Sequence, residues 1–339
     1  MRIDRRALLG LLPSSLAVGL VACGSEDGDG SDDGTGDAAV NRRPPASGLR
    51  DDRHLVVADQ RVMALVDGGV GVWVLATGEH ERTIGAEVTG GLSRSAGSGR
   101  LAVGSTKGKI LVLDESKGDV VATLTGHEAV EGAIEALCLT PDGTMLASAG
   151  GDGTVRLWSV ADGTSDVLDV EGTMPRALAL TPDGGHLAVA GLDAPVQVVS
   201  LDDLSVRTIQ QRPPQGVSLA VDPQGTTLVT TTADPPSPGK VVRVETSSWT
   251  TTDLVSDVSP VALAVSPDGS TLAVSDSGAD ALVLVPLSGG EQVTVPVEQA
   301  PRGIAWSDDG RLIVTAGADT GIVVREAATG EEQRRIDVA

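Results

Sequence analysis

Short apolar runs recur along the chain, and turn-forming residues separate them. In the unit around residue 180, the predicted strands are Ala177 to Leu180, His186 to Ala190, Val196 to Leu201 and Ser205 to Ile209. Pro182-Asp183-Gly184 and Asp193-Ala194-Pro195 supply the residue types of tight turns between them. Runs this short and this rich in Val, Leu and Ile leave no room for helices, so the pattern predicts an all-β chain.

The turn before the second strand of this unit belongs to an internal repeat. Its copies are Thr140-Pro141-Asp142-Gly143, Thr181-Pro182-Asp183-Gly184, Asp222-Pro223-Gln224-Gly225, Ser266-Pro267-Asp268-Gly269 and Ser307-Asp308-Asp309-Gly310, with weaker copies at Ala96-Gly97-Ser98-Gly99 and Asp59-Gln60. A second marker, the end of each third strand, falls at Trp73, Leu113, Trp158, Val199, Val244, Val285 and Arg325. The two markers agree on seven units of about 42 residues each, a period typical of propeller blades.

Seven four-stranded units predict a seven-bladed β-propeller with four antiparallel strands per blade. A single blade cannot bury both of its faces, whereas seven blades in a ring bury one another's faces. The propeller domain is expected over residues 49–339. Two ways of closing the ring remain open: blade seven packs directly on blade one, or it borrows a strand from residues 40–48.

Blade three resembles a WD repeat, because Gly126-His127 precedes Trp158-Ser159 with Ala147-Ser148 and Gly151-Asp152-Gly153 between them. The resemblance implies a structural hydrogen-bond chain of His127, Ser148, Asp152 and Trp158. Later units, which begin Pro175-Arg176 and Pro301-Arg302, resemble the YVTN-type propellers of bacterial envelopes.

The first residues are typical of an export signal rather than of the fold. Arg2, Arg5 and Arg6 precede an apolar stretch, and Leu20-Val21-Ala22-Cys23 resembles the bacterial lipobox. We therefore expect a signal peptide over 1–23, lipidation at Cys23 and a disordered acidic Gly/Ser/Asp tether over 24–48. Arg5-Arg6 is also similar to a twin-arginine signal, so export follows either the Sec or the twin-arginine route. The predicted location is the bacterial cell envelope, anchored by lipid outside the cytoplasmic membrane.

Charge and composition exclude several classes of function. A net charge of −22 makes binding to nucleic-acid phosphates unfavourable, and an aromatic content of 1% leaves few side chains for base or sugar stacking. Cys138 lies in an apolar run and is interpreted as a core residue. The sequence contains no catalytic motif that we recognise, and we expect neither a cofactor nor a metal site.

One constellation has two interpretations. Asp67, Asp152, Asp193 and Asp319 each lie six residues before the third-strand marker, so they recur in the same turn. They are either turn residues that accept backbone N–H groups or a carboxylate ring that attracts a cation or a basic peptide. Arg176 and Arg302 begin first strands, and we expect them near the channel entrance, where they hold an anionic ligand or are simply solvated.

These observations favour an interaction or scaffold module: a monomeric, lipid-anchored propeller that binds a protein or peptide partner in the cell envelope. The alternatives are a propeller enzyme of the lactonase or quinoprotein type and a small-ligand or cation sensor. Fold alone does not decide among them, because propellers host binding and catalysis alike.

Overall fold

The structure, a computed structural model, describes residues 49–338 except 89, 129–133, 173, 193, 211–217, 235–236 and 318–319. The predicted signal peptide, Cys23, the tether and two of the four aspartates, Asp193 and Asp319, lie outside the described residues. Within them, no helix is both long enough and apolar enough to cross a membrane.

Seven sheets of four antiparallel strands form the fold, and each sheet is built from four consecutive strands. Blades one to three comprise β1 (Leu49–Ala58), β2 (Arg61–Val66), β3 (Gly69–Val74), β4 (His80–Gly85), β5 (Gly90–Arg94), β6 (Arg100–Gly104), β7 (Ile110–Asp114), β8 (Val120–Leu124), β9 (Ile134–Leu139), β10 (Met145–Gly150), β11 (Val155–Ser159) and β12 (Ser165–Val167). Blades four and five comprise β13 (Pro175–Leu180), β14 (His186–Gly191), β15 (Val196–Ser200), β16 (Val206–Gln210), β17 (Leu219–Val221), β18 (Thr227–Asp234), β19 (Ser237–Glu245) and β20 (Thr250–Val258). Blades six and seven comprise β21 (Pro260–Val265), β22 (Thr271–Asp276), β23 (Ala281–Pro286), β24 (Val293–Pro296), β25 (Gly303–Trp306), β26 (Leu312–Gly317), β27 (Gly321–Glu326) and β28 (Glu332–Ile336). A single 3-10 turn, Thr106–Gly108, is the one helical element of the described chain. The predicted seven-bladed all-β propeller is confirmed.

The turn that defines the repeat works through one side-chain network. In blade three the Thr140 hydroxyl donates to Asp142 Oδ1 (2.6 Å) and accepts from the Met145 amide (3.0 Å), while Gly143 adopts a φ of 67°. Thr181 and Asp183 in blade four, Ser266 and Asp268 in blade six, and Ser307 and Asp309 in blade seven make the same bonds. The turn is therefore specified by a hydroxyl side chain, an aspartate two residues later and a glycine in the left-handed region. This is why the motif recurs in the sequence.

Each interface between adjacent blades contains its own apolar cluster. The cluster between blades seven and one holds Leu55, Trp73, Val314 and Ile336, and six further clusters fill the other interfaces. The hydrophobic driving force is thus distributed around the ring, with one contribution per interface.

The ring closes by packing between complete blades. Blade seven forms its four strands from Gly303–Ile336, and β1 contacts both β25 and β26. Arg334 on β28 donates a hydrogen bond to the Leu75 carbonyl (3.0 Å) and a second to the Ala76 carbonyl. The interface between the first and last blades therefore has the same construction as the other six.

Candidate functional site at the central channel

The predicted hydrogen-bond chain of blade three is assembled from two strands, a turn and the loop after β8. Trp158 Nε1 donates to Ser148 Oγ (2.8 Å), and Ser148 Oγ lies 2.7 Å from His127 Nε2. His127 Nδ1 lies 3.0 Å from both carboxylate oxygens of Asp152. Because an indole only donates, Ser148 accepts from Trp158 and donates to Nε2, so the proton of a neutral His127 sits on Nδ1 and points to Asp152.

Electrostatics agree with a neutral histidine. Burial lowers the pKa of His127, and the opposing effect of Asp152 does not restore it. Burial opposes ionisation of Asp152, but the hydrogen bonds from the Thr154 and Glu128 amides outweigh it and hold the pKa of that carboxyl below its usual range. His127 therefore has both ring nitrogens engaged inside the blade and offers no free base to a substrate.

Two of the four aspartates that recur in this turn, Asp152 and Asp67, lie among the described residues, and their surroundings differ. Asp152 is bound by its own loop through Thr154 and Glu128, which matches the interpretation as a turn residue. Asp67 lies exposed in the corresponding turn between β2 and β3 and takes part in an interaction of its own. Since Asp193 and Asp319 lie outside the described residues, a complete carboxylate ring stays a prediction.

Arginines recur at one position of the innermost strands. It lies four residues before the last paired residue of the strand, and five residues before it in blade one, where β1 pairs one residue further. In blade order the described residues at this position are Arg53, Gly90, Glu135, Arg176, Val261 and Arg302, and the blade-five position lies outside the described residues. At Glu135 and Arg176 the strand carries a β-bulge, in which the extra residue has no partner on the next strand and its side chain is re-aimed.

Three of these side chains meet. Glu135 Oε2 lies 2.7 Å from Arg176 Nη1 and 3.4 Å from Arg53 Nη1, and the three side chains are between 11% and 17% exposed. Blades one and three are not neighbours, so the Arg53–Glu135 contact is made across the channel, past the blade in which Gly90 has no side chain. We call these three residues and Arg302, which shares their position in the repeat, the channel arginine cluster.

Arg302 differs from the other two arginines. It is exposed immediately before β25, and within the described part of the chain its guanidinium has neither a hydrogen bond nor an ion pair, although its amide donates to Ala316. Three arginines and one glutamate give the cluster a net positive charge within a chain of net charge −22. Guanidinium groups bind carboxylates and phosphates bidentately, so the cluster is chemically suited to an anionic group.

Sequence reasoning identified Arg176 and Arg302 and missed Arg53 and Glu135. The repeat itself contained the signal, because Glu135 lies four residues before the end of β9, as Arg176 does in β13, and Arg53 lies five residues before the end of β1.

Other candidate groups are not gathered into a site. Cys138 is buried and donates to the Leu178 carbonyl (3.3 Å), and burial raises the pKa of its thiol to about 12, as expected of a core residue. Among the described residues no three His, Cys, Asp or Glu side chains lie close enough together to hold a metal ion.

Comparison with known proteins finds two families. The profile described as WD domain, G-beta repeat, matches residues 118–159, which hold the last strand of blade two and the first three strands of blade three, and this confirms the WD-repeat resemblance of that unit. The profile described as SMP-30/Gluconolactonase/LRE-like region matches residues 151–339.

Individual relatives match over short stretches. WD repeat-containing protein 1 of Rattus norvegicus is 31% identical over 118 residues, covering 35% of this chain and 18% of that protein. Nuclear distribution protein PAC1-2 of Uncinocarpus reesii is 36% identical over 90 residues, covering 26% of this chain and 19% of that protein. The matched region thus spans about a fifth of the length of these relatives.

A solved structure of Kuenenia stuttgartiensis Hydrazine Synthase superimposes with a TM-score of 0.69 over 87% of this chain and 100% of that chain, at 14% sequence identity. At that identity the similarity concerns the fold alone. The SMP-30/gluconolactonase/LRE-like profile, by contrast, extends over more than half of the sequence, and the chain belongs to that family.

Proposed function

We propose that this protein is a lipid-anchored propeller of the bacterial cell envelope that binds an acidic segment of a protein or peptide partner at its channel entrance. The observation that carries the proposal is the channel arginine cluster, in which Arg302 is exposed and has no described partner. An acidic protein attracts few anions over most of its surface, so a positive entrance distinguishes one site from the rest.

The chemistry of blade three supports binding rather than proton transfer. His127, the residue most similar to a general base, is held between Ser148 and Asp152 within the blade. In the channel, the Glu135 carboxylate is shared by two guanidiniums, which occupy its lone pairs.

The experiment is in-cell crosslinking of the full-length protein, followed by affinity purification and mass spectrometry. The test variant is Arg302→Glu, and the matched control is Arg311→Glu, an exposed arginine on the opposite face of the same blade. We expect one partner, recovered near one-to-one with the natural protein and the control and lost with Arg302→Glu. Retention by Arg302→Glu, or recovery of the protein alone, would reject the proposal.

The anchor is tested separately. With Cys23→Ser we expect loss of fatty-acid labelling and release into the soluble fraction. Unchanged labelling and unchanged membrane retention would reject lipidation without touching the binding proposal.

A second candidate function is hydrolysis of a lactone, and the family match over residues 151–339 favours it. In that case the channel arginines would stabilise the negative charge that develops on the lactone oxygen. The test is ring opening of an aldonolactone by the natural protein, measured above the spontaneous rate. Turnover that falls in Arg302→Gln and not in Arg311→Gln would support this candidate, and a rate equal to the spontaneous one would reject it.

A further inference from the structure

A cavity lies between blades six and seven. Its volume is about 290 Å³, and its walls come from the end of β24 with the following loop and from β26, β27 and β28. Val295, Val297, Pro301 and Val323 give it an apolar lining, and Arg325 contributes a guanidinium. This volume is near the lower end of the range of small-molecule sites.

The cavity exists because blade seven departs from the repeat. Arg325 stands at the third-strand marker, the position of Trp73 in blade one and Trp158 in blade three. Thr315 stands at the position of Ser148. In blade three an indole and an imidazole, with ring centres 5.9 Å apart, occupy the equivalent space. An arginine in place of that indole leaves the space partly open.

Arg325 is buried, and the carboxylates of Glu332 and Glu298 act on its charge only from beyond ion-pair distance. The residue is 9% exposed, its Nη1 donates to the Gly330 carbonyl (3.3 Å), and its Nε has no hydrogen-bond partner. No carboxylate of the described chain lies within ion-pair distance of it. Burial lowers its pKa, the direction expected for a cation removed from water. A buried guanidinium with an unused donor carries a desolvation cost that an incoming acceptor would offset.

The charges at the rim restrict which anion fits. Arg335 forms salt bridges with Glu332 (Nε to Oε1, 2.9 Å) and Glu298 (Nη2 to Oε1, 3.2 Å), and the neighbouring Glu331 is exposed. Two of the three glutamates are therefore already paired, but the rim as a whole is negative. This favours a single carboxylate that pairs with Arg325 over a phosphate or a dicarboxylate, which would bring a second negative charge to the rim.

We propose that the cavity between blades six and seven is a binding site for a small aliphatic monocarboxylate, whose carboxylate pairs with Arg325 and whose chain packs on Val295, Val297 and Val323. The site is distinct from the channel arginine cluster and does not depend on the proposed function.

The test is isothermal titration of the full-length protein in mild detergent with hexanoate, with the neutral isostere hexanamide, and with inorganic phosphate. We expect saturable binding of hexanoate, at least about tenfold weaker binding of hexanamide, since a charged hydrogen-bond pair is lost, and weaker binding of phosphate. Equal binding of hexanoate and hexanamide, or no saturable hexanoate binding, would overturn the proposal on the natural protein alone.

Two variants locate the site. Arg325→Trp introduces the residue that blades one and three carry at this position, so the blade is expected to fold while the cavity fills. Arg325→Gln removes the charge and keeps the polarity. Both should weaken hexanoate binding by at least about tenfold, whereas Arg302→Gln in the channel should leave it unchanged. Binding that follows Arg302 instead of Arg325 would assign the carboxylate to the channel and overturn the proposal.

Discussion

Ser148 is the centre of the blade-three hydrogen-bond chain, and Ser148→Ala tests how much that chain contributes to stability. The hydroxyl accepts from Trp158 Nε1 and is hydrogen-bonded to His127 Nε2, and Ser148 and Trp158 are both fully buried. Its removal leaves a buried donor and a buried acceptor without partners. Each costs about 1–3 kcal/mol, so we expect a loss of about 2–6 kcal/mol in the free energy of unfolding.

The matched control is Ser275→Ala in blade six. Ser275 is as buried as Ser148, but its hydroxyl has no hydrogen-bond partner in the structure. The two substitutions delete the same atom from equally buried sites, so cavity effects are similar and the difference isolates the hydrogen bonds. We expect Ser275→Ala to be neutral or slightly stabilising.

Urea unfolding of the full-length protein, followed by circular dichroism in the β-sheet band, measures both variants against the natural chain. Equal midpoints for Ser148→Ala and Ser275→Ala would refute the reasoning, because the chain would then contribute no more than an unpaired hydroxyl.

Three further predictions follow from the same contacts. Because burial lowers the pKa of His127, the unfolded chain takes up a proton that the folded chain resists once the pH falls below the ordinary histidine value of about 6.5. The free energy of unfolding should therefore be constant above that pH and fall towards pH 5. Urea midpoints measured across this range should change less with pH in His127→Gln than in the natural chain, and an equal change would contradict the prediction. Arg334→Met removes two hydrogen bonds from β28 to blade one, so amide hydrogen exchange should become faster in β1 and β28 and stay unchanged in β14 of blade four. The control is Arg100→Met, which loses a hydrogen bond to the Gly143 carbonyl (2.7 Å) and should affect blades two and three instead. Glu135→Gln weakens the acceptor shared by two guanidiniums and should cost about 1–3 kcal/mol, and a urea midpoint equal to that of the natural chain would show that the shared carboxylate contributes nothing.

The fold was predictable from sequence because its specification is local. A Thr or Ser, an Asp and a Gly at fixed spacing make each turn by hydrogen bonds within a few residues, so the turn is visible without knowledge of any distant contact. Differences in repeat length also have local causes. In blade five β19 and β20 each have nine residues, and the turn glycines Gly225 and Gly269 on either side of them are 44 residues apart.

The channel arginine cluster was only half predictable because it depends on ring closure. Arg53 and Glu135 are 82 residues apart, and their contact exists only because blades one and three face the same narrow centre. The cavity at Arg325 was not predicted for a related reason. An arginine at a strand position conveys nothing about a void until the neighbouring blade sets its opposite wall.

These cases suggest how function is distinguished from structure in a repeat of this kind. Equivalent positions in the seven blades have similar surroundings, so packing favours similar residue types at each of them. A blade with a different residue type at such a position loses stability, and the fold alone does not explain why that residue is there. Blade three fills the third-strand position with Trp158 and satisfies it with Ser148, whereas blade seven places the cation of Arg325 there without an ion pair to any described residue. Similarly, the innermost position tolerates a valine at Val261 and a glycine at Gly90, so the arginines in blades one, four and seven are not required by packing. Ligands should therefore be sought first where charged residues depart from the repeat, at the channel and at the cavity between blades six and seven.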